Sequence, residues 1–128
     1  MRLLAIDSSA KAASSAILED GVLKGEFFIH TQLTHSQTLM PMVGDLLTNT
    51  CYHLHEMHGL AVAVGPGSFT GIRIGVAAVK GMAMAENKLC IPVSTLEAMA
   101  YQTDYINGLI CAVMDARCNQ VYNALFAA

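Results

Sequence analysis

A glycine-rich segment, G-P-G-S-F-T-G-I-R-I-G at residues 65–75, places the strongest constraint on the fold of this chain. It lies between an apolar run at residues 60–64 and a helix-like run at residues 76–86, and so marks a strand-to-helix junction. Glycine has no Cβ and is used where the backbone turns tightly or approaches another group closely. We therefore predict a structural loop that depends on Gly65, Gly67, Gly71 and Gly75.

The spacing of these glycines excludes the P-loop and the dinucleotide-binding fingerprint. A P-loop requires Lys and then Ser or Thr directly after its last glycine, whereas Ile72 and Arg73 follow Gly71. The fingerprint requires G-x-G-x-x-G, which the segment does not contain. Ser68 or Thr70 is instead predicted to cap a helix. One face of that helix would carry mostly small residues, namely Gly71, Gly75, Ala78 and Met82.

The composition predicts one domain with surplus apolar surface. Of its 128 residues 54% are hydrophobic and 13% are charged, and the mean hydropathy is +0.46. No run reaches the roughly 18 apolar residues of a membrane helix, and Asp7 interrupts the N-terminal apolar run where a signal peptide would continue. We expect a cytoplasmic protein that does not bind membranes. The net charge of −3 argues against direct binding of nucleic acid.

Neither the histidines nor the cysteines have the spacing of a metal site. His55-Glu56-Met57-His58 is one residue short of the zinc-binding H-E-x-x-H, and His53 lies five residues before His58. We expect this stretch to be a solvated connection. The cysteines form no C-x-x-C pair and lie in apolar segments, which favours buried free thiols. They are Cys51, Cys90, Cys111 and Cys118.

Hydrophobic periodicity predicts an α/β layer with a mixed sheet. Helices are expected to begin after a cap at Thr34 or Ser36, at about residue 71, and at Ser94, where S-T-L-E forms a capping box. They should end near residues 50, 86 and 102. Strands are expected at residues 2–7, 12–18, 22–29, 60–64, 90–93, 109–114 and 120–126.

Two segments of the chain have similar sequences. L-A-I-D at residues 4–7 corresponds to A-V-M-D at residues 112–115, and both are followed at the same distance by a second short apolar run. Chance similarity between two hairpins is one explanation. If the similarity is a repeat, the chain comprises a first lobe at residues 1–107 and the first hairpin of a second, truncated lobe at residues 108–128.

The D-S-S turn after the first strand is the remaining candidate ligand site. Asp7, Ser8 and Ser9 could face a cleft and bind a phosphate or a metal, although an ordinary polar turn is the alternative because the turn has no glycine. Any cofactor site here would be vestigial. No catalytic residue is predicted, since Ser68 lies in G-S-F-T-G rather than in the nucleophile motif G-x-S-x-G.

Five segments together resemble the TsaB (YeaZ) family, whose members support threonylcarbamoyl modification of adenosine in tRNA. They are L-A-I-D-S-S at residues 4–9, H-S-Q-T-L-M-P-M at 35–42, the glycine-rich segment, I-P-V-S-T-L-E-A at 91–98, and M-D-A-R with V-Y between 114 and 122. The resemblance implies the actin/Hsp70/sugar-kinase (ASKHA), ribonuclease H-like fold, in which a mixed sheet carries flanking helices. It also implies that most of the second lobe is missing from this chain.

The resemblance further implies that the chain is not an enzyme. The catalytic relative TsaD binds a metal through an H-x-E-x-H-like helix start, and here Thr95 and Met99 occupy the two ligand positions. Neither side chain is a suitable ligand for such an ion. We therefore expect no metal and no cofactor in this chain, so that ATP and the metal would belong to partner subunits. A glycoprotease-like metal-dependent hydrolase or a small ASKHA ATPase is the alternative.

The implied role is that of a scaffold for a TsaD-like catalytic paralogue, with a TsaE-like P-loop ATPase docking on the pair. That complex adds threonylcarbamoyl to N6 of adenosine 37 in tRNAs reading ANN codons, and this chain would contact tRNA only indirectly. The pairing surface would be formed by the helices at residues 35–50 and 71–86, where small residues would allow close approach. The interface candidates are Leu39, Val43, Leu46, Arg73, Val76, Val79 and Lys80.

The last two predicted strands favour self-association of the chain. Without the sheet that such strands normally begin, their edges and apolar faces would be open. We therefore expect a homodimer or a strand-exchanged oligomer when the chain is alone.

Overall fold

The computed structural model describes residues 1–103 and 105–128. In these residues no helix is long and apolar enough to cross a membrane. The elements in chain order are β1 (Arg2–Asp7), β2 (Ala13–Glu19), β3 (Val22–Ile29), α1 (His35–Thr50), a 3-10 turn (Leu54–Glu56), β4 (Gly59–Gly65), α2 (Phe69–Glu86), β5 (Leu89–Ser94), α3 (Thr95–Tyr101), β6 (Leu109–Arg117) and β7 (Gln120–Ala127).

The strands form a five-stranded mixed sheet and a separate two-stranded sheet. The larger sheet has the order β3-β2-β1-β4-β5, in which β1 is antiparallel to β2 and parallel to β4. The antiparallel strands follow one another directly, whereas each parallel pair is joined by a crossover that contains a helix. The predicted α/β layer with a mixed sheet is confirmed.

The main core lies between one face of the larger sheet and the helices α1 and α2. Alternate residues of β1 and β2 point into it, since Leu4, Ile6 and Ile17 are at most 3% exposed. From β4, the neighbour of the central strand β1, Leu60 and Val62 are also buried. This arrangement determines which faces of the two helices are covered and which are free.

Each of the three helices begins after a capping residue that the sequence predicts. The backbone N–H of Thr34 donates to Gln37 Oε1 at 3.1 Å before α1. Ser68 Oγ accepts from the Gly71 N–H at 3.2 Å, and Ser94 Oγ accepts from the Glu97 N–H at 3.4 Å. Because Ser68 is the cap, α2 begins at Phe69, two residues earlier than expected.

The cysteines are free as predicted, but the prediction that they are buried is wrong, because all four thiols are exposed. Cys51 follows the last turn of α1 in a left-handed conformation, and Cys90 lies on the edge strand β5. Cys111 lies on the uncovered face of β6, and Cys118 lies in the turn after it. These apolar segments each have a solvent-facing side, which the sequence pattern alone did not reveal.

A charged network connects the start of β1, the end of β2 and the connection after α1. Arg2 Nε donates to Glu19 Oε1 at 2.6 Å, and the Tyr52 hydroxyl donates to Glu19 Oε2 at 2.8 Å. Arg2 also pairs with Glu56. The hydrogen bond from Arg2, and then that from Tyr52, lowers the pKa of Glu19 from its ordinary 4.5 to about 2. The same contacts with Glu19 raise the pKa values of Arg2 and Tyr52.

This network predicts acid sensitivity of the fold between pH 4.5 and about 2. Because the pKa of Glu19 is lower in the folded state, its stabilising effect is complete above 4.5 and is lost as the pH falls toward 2. Glu19→Gln should therefore flatten the dependence of the unfolding free energy on pH in this window. Urea unfolding at several pH values measures it, with Glu26→Gln, an exposed carboxylate of β3, as the matched control. Equal slopes for the two variants would contradict the assignment.

Candidate partner-binding site

The turn after β1 packs directly against the start of α2. Ser8 Oγ donates to the carbonyl of Gly71 at 2.7 Å, and the Ser68 N–H donates to the carbonyl of Ser9 at 2.7 Å. Ser8 and Ser9 are 1% and 2% exposed. Each of these bonds satisfies a polar group that burial would otherwise leave unpaired.

Within the D-S-S turn, Asp7 and Ser9 bond to each other. Asp7 Oδ1 accepts from the Ser9 N–H at 2.8 Å and from Ser9 Oγ at 2.6 Å. With Ser8 bonded to α2, both serine hydroxyls are buried and used within the chain. Ser8 and Ser9 therefore join β1 to α2, and the assignment of Asp7, Ser8 and Ser9 to a vestigial cofactor site stays a prediction.

The glycines of α2 face this turn and not a partner helix. A Cβ on Gly71 would collide with the carbonyl oxygen of Ser8, and a Cβ on Gly75 would collide with Ser8 Oγ. Before the helix, Gly65 has a φ of +120°, and a Cβ on Gly67 would overlap the Ser9 backbone. The prediction of a structural loop agrees with this geometry. The expectation that the small residues admit a partner helix is wrong, because the chain's own turn occupies that space.

Four of the seven interface candidates are core residues. In α1, Leu39, Val43 and Leu46 are at most 2% exposed, and Val79 of α2 is fully buried. They pack against the larger sheet, because a helix lying on a sheet buries its apolar face there. In this chain they cannot contact a partner directly, and their assignment to a partner surface is corrected.

The three remaining candidates lie together on the outward side of α2. Arg73, Val76 and Lys80, with Ile72 and Ala77, line a shallow surface pocket of about 420 Å³. Arg73 and Lys80 are exposed, and Val76 is half-buried. The surface therefore combines an apolar floor with two cations.

Two further residues extend this surface and were missed by the sequence analysis. Phe69 is 74% exposed, and the Arg73 guanidinium lies over its ring at 5.1 Å from the centroid. Met84 is 84% exposed. Their spacing from Arg73 and Lys80 is four residues in each case, which places them along one side of a helix. We call residues Phe69, Arg73, Val76, Lys80 and Met84 the outer stripe of α2.

The positions that resemble metal-ligand positions do not form a cluster of donors. Thr95 is buried at the start of α3, and Met99 is exposed one turn later. His58 Nδ1 accepts from the Arg2 N–H, and His53 stacks on His55. Across residues 1–103 and 105–128, no group of three or more His, Cys, Asp or Glu side chains is placed to hold a metal ion.

Comparisons with known proteins agree with this architecture. Residues 30–127 match the family described as "TsaD: tRNA N6-adenosine threonylcarbamoyltransferase". The "tRNA threonylcarbamoyladenosine biosynthesis protein TsaB" of Escherichia coli K12 is 40% identical over 124 residues, which is 95% of this chain and 53% of that protein. The chain belongs to the TsaB (YeaZ) family. The protein of the same name from Bacillus subtilis is 36% identical over 98% of this chain and 55% of its own length.

Solved structures place this TsaB-family chain in the ASKHA, ribonuclease H-like fold. "YeaZ from Pseudomonas aeruginosa" superposes with a TM-score of 0.86 at 34% identity, covering 99% of this chain and 59% of that one. RuvC of Thermus thermophilus, at 12% identity and a TM-score of 0.54, covers 76% of this chain and 66% of its own, and it shares the fold alone. The chain spans about half the length of the curated TsaB relatives it matches.

The contact between Ser8 and α2 predicts an unusual pair of glycine variants. Gly75→Ala should destabilise the fold by about 1–3 kcal/mol, because its Cβ has no space beside Ser8 Oγ. Gly81→Ala, in the same helix, meets no atom within 4 Å and should stabilise the fold by about 0.5–1 kcal/mol. Urea unfolding measures both. Variants that shift stability in the same direction would contradict this packing.

Proposed function

We propose that this chain is a non-catalytic accessory subunit in the biosynthesis of threonylcarbamoyladenosine in tRNA. Its role is to bind a TsaD-like catalytic paralogue, which transfers threonylcarbamoyl to N6 of adenosine 37 in tRNAs reading ANN codons. A TsaE-like ATPase then docks on the pair. The observation that carries the proposal is the exposed outer stripe of α2 in a TsaB-family chain.

The chemistry of the outer stripe suits a protein partner. Phe69 and Met84 offer large apolar surfaces, and Arg73 and Lys80 lie between them along the helix. Aromatic and Arg side chains surrounded by apolar contacts are typical of the residues that carry most of the energy of protein interfaces. A partner helix that presents carboxylates beside an apolar ridge would complement this surface in shape and charge.

The residues at the two positions that correspond to metal ligands in TsaD, and those of the D-S-S turn, support a non-catalytic role. Thr95 and Met99 provide no imidazole, and the hydroxyls of Ser8 and Ser9 are already bonded within the chain. Turnover would therefore take place on the partner subunits, which would supply the ATP and the metal. The net charge of −3 supports indirect contact with tRNA.

Reversing the charges on the outer stripe should weaken the complex. We expect wild-type residues 1–128 to co-elute with a purified TsaD-like protein in size-exclusion chromatography, and Arg73→Glu with Lys80→Glu to reduce its affinity at least tenfold, or by about 1.4 kcal/mol. Isothermal titration calorimetry measures the affinity. The two substitutions place carboxylates opposite the carboxylates expected on the partner, so that the two surfaces repel each other. Because both positions are exposed, the fold should remain intact.

The matched control changes the same number of charges elsewhere. Lys11→Glu with Arg117→Glu alters two exposed cations outside α2 and should bind like wild type. Equal losses in both double variants would indicate a general charge effect and contradict the assigned surface. Proteolysis or ATP hydrolysis by the isolated chain would contradict the accessory role itself.

A further inference from the structure

Phe69 and Arg73 form a contacting pair at the start of the outer stripe. The Arg73 guanidinium lies 5.1 Å from the centroid of the Phe69 ring, within the range of a cation–π interaction. Phe69 is the first residue of α2 and is 74% exposed, and Arg73 is exposed as well. An aromatic ring and a cation are thus held together on an open surface.

The direction of side chains on a helix explains why the two groups meet. Every Cα–Cβ bond of an α-helix tilts toward the N-terminus, so that a side chain covers the turn that precedes its own Cα. Phe69 is four residues before Arg73, and the Arg73 side chain therefore extends over the Phe69 ring. Lys80 has Val76 at the corresponding position, which offers apolar contact but no aromatic face. The two cations of the stripe are therefore not equivalent.

The Arg73 guanidinium has a ring beside it but no carboxylate. In residues 1–103 and 105–128 the ion pairs are made by Arg2, Lys24 and the N-terminal amine, and none involves Arg73. The first turn of α2 contains no acidic residue, although the N-terminus of a helix carries a partial positive charge. The contact with Phe69 therefore restrains the guanidinium without neutralising its charge.

We propose that Phe69 is a positioning residue for partner binding, whose ring holds the Arg73 guanidinium ready to receive one carboxylate of the partner. Arginine can donate two parallel hydrogen bonds to the two oxygens of a carboxylate, which requires a defined orientation of the guanidinium. The ring offers no oxygen acceptor, so the N–H groups of Arg73 remain available for this contact. Restraining the side chain in advance also reduces the conformational freedom that binding removes.

The chemistry of the partner follows from this pair and the surface beside it. An Asp or Glu side chain on a partner helix would meet Arg73, while apolar residues of that helix would cover Ile72 and Val76 in the adjoining shallow pocket. This inference rests on the proposed function, and it assigns the selectivity of the outer stripe to Arg73 and Phe69 rather than to Lys80.

A double-mutant cycle tests whether Phe69 acts through Arg73. Isothermal titration calorimetry with the TsaD-like protein compares wild-type chain, Phe69→Leu, Arg73→Ala and the double variant. Leu keeps an apolar side chain and removes the ring, so Phe69→Leu alone should lower the affinity about three- to tenfold. In the Arg73→Ala background the same substitution should cost less than about twofold, because no cation is left to position. Phe69→Tyr, which retains the ring, should bind like wild type.

Met84 and Lys80 provide matched controls on the same stripe. Met84 is similarly exposed but lies about 16 Å further along the helix than Arg73, so Met84→Ala should lower the affinity by the same factor with or without Arg73. Arg73→Lys keeps the charge but loses one of two charge-assisted hydrogen bonds, and it should weaken binding about tenfold. Lys80→Arg should bind like wild type.

NMR spectroscopy of the isolated chain tests the positioning without a partner. The ring current of Phe69 should shift the side-chain protons of Arg73 upfield, and the contact should restrict the motion of the Arg73 Nε–H group. Both effects should be absent from Phe69→Leu. Thermal unfolding of this variant should be that of wild type, because the Phe69 side chain is mostly exposed.

The possible results distinguish the positioning role from partner binding itself. A wild-type chain that does not bind the TsaD-like protein would overturn the proposed function and the inference that rests on it. Two results would overturn the inference alone. One is a chain that binds but loses the same factor through Phe69→Leu with and without Arg73, and the other is an Arg73 side chain whose NMR signals are the same in wild type and in Phe69→Leu.

Discussion

The contact between the β1 turn and the start of α2 determines how the rest of the structure is arranged. Two buried serines provide it, with Ser8 Oγ bonded to the Gly71 carbonyl and the Ser9 carbonyl bonded to the Ser68 N–H. The approach is possible only because Gly71 and Gly75 have no Cβ. A buried hydroxyl or carbonyl without a partner would cost about 1–3 kcal/mol, so the helix is stabilised in this one position.

Fixing α2 in this way also determines its two surfaces. The glycine side, together with Val79 and Met82, is used by the chain's own turn and core, and the outer stripe is left for solvent or a partner. A glycine-rich strand-to-helix junction can bind phosphate where its N–H groups are free. Here the Ser68 N–H and the Gly71 N–H are both occupied by serine oxygens of the chain. The glycine-rich segment therefore attaches the start of α2 to the turn after β1.

Local patterns in the sequence predicted the elements well, because the determinants of those elements are also local. Ser68 and Ser94 cap their helices as expected, and the alternating runs became strands within a few residues. The directions of the helix faces could not be predicted in the same way. Both sides of α2 are apolar in sequence, so Val79 and Val76 look equivalent, and only the position of the sheet makes the first fully buried and the second partly exposed.

The same limitation explains why the sequence did not predict the exposure of the cysteines or the position of the exposed apolar side chains. A high hydrophobic content predicts surplus apolar surface without saying where it lies. The exposed apolar side chains include Phe69 and Met84 on α2, Leu109 and Leu125 on the β6–β7 hairpin, and others on further elements. The side chains on α2 lie beside the cations Arg73 and Lys80, so that the outer stripe can select a partner by charge as well as by apolar contact.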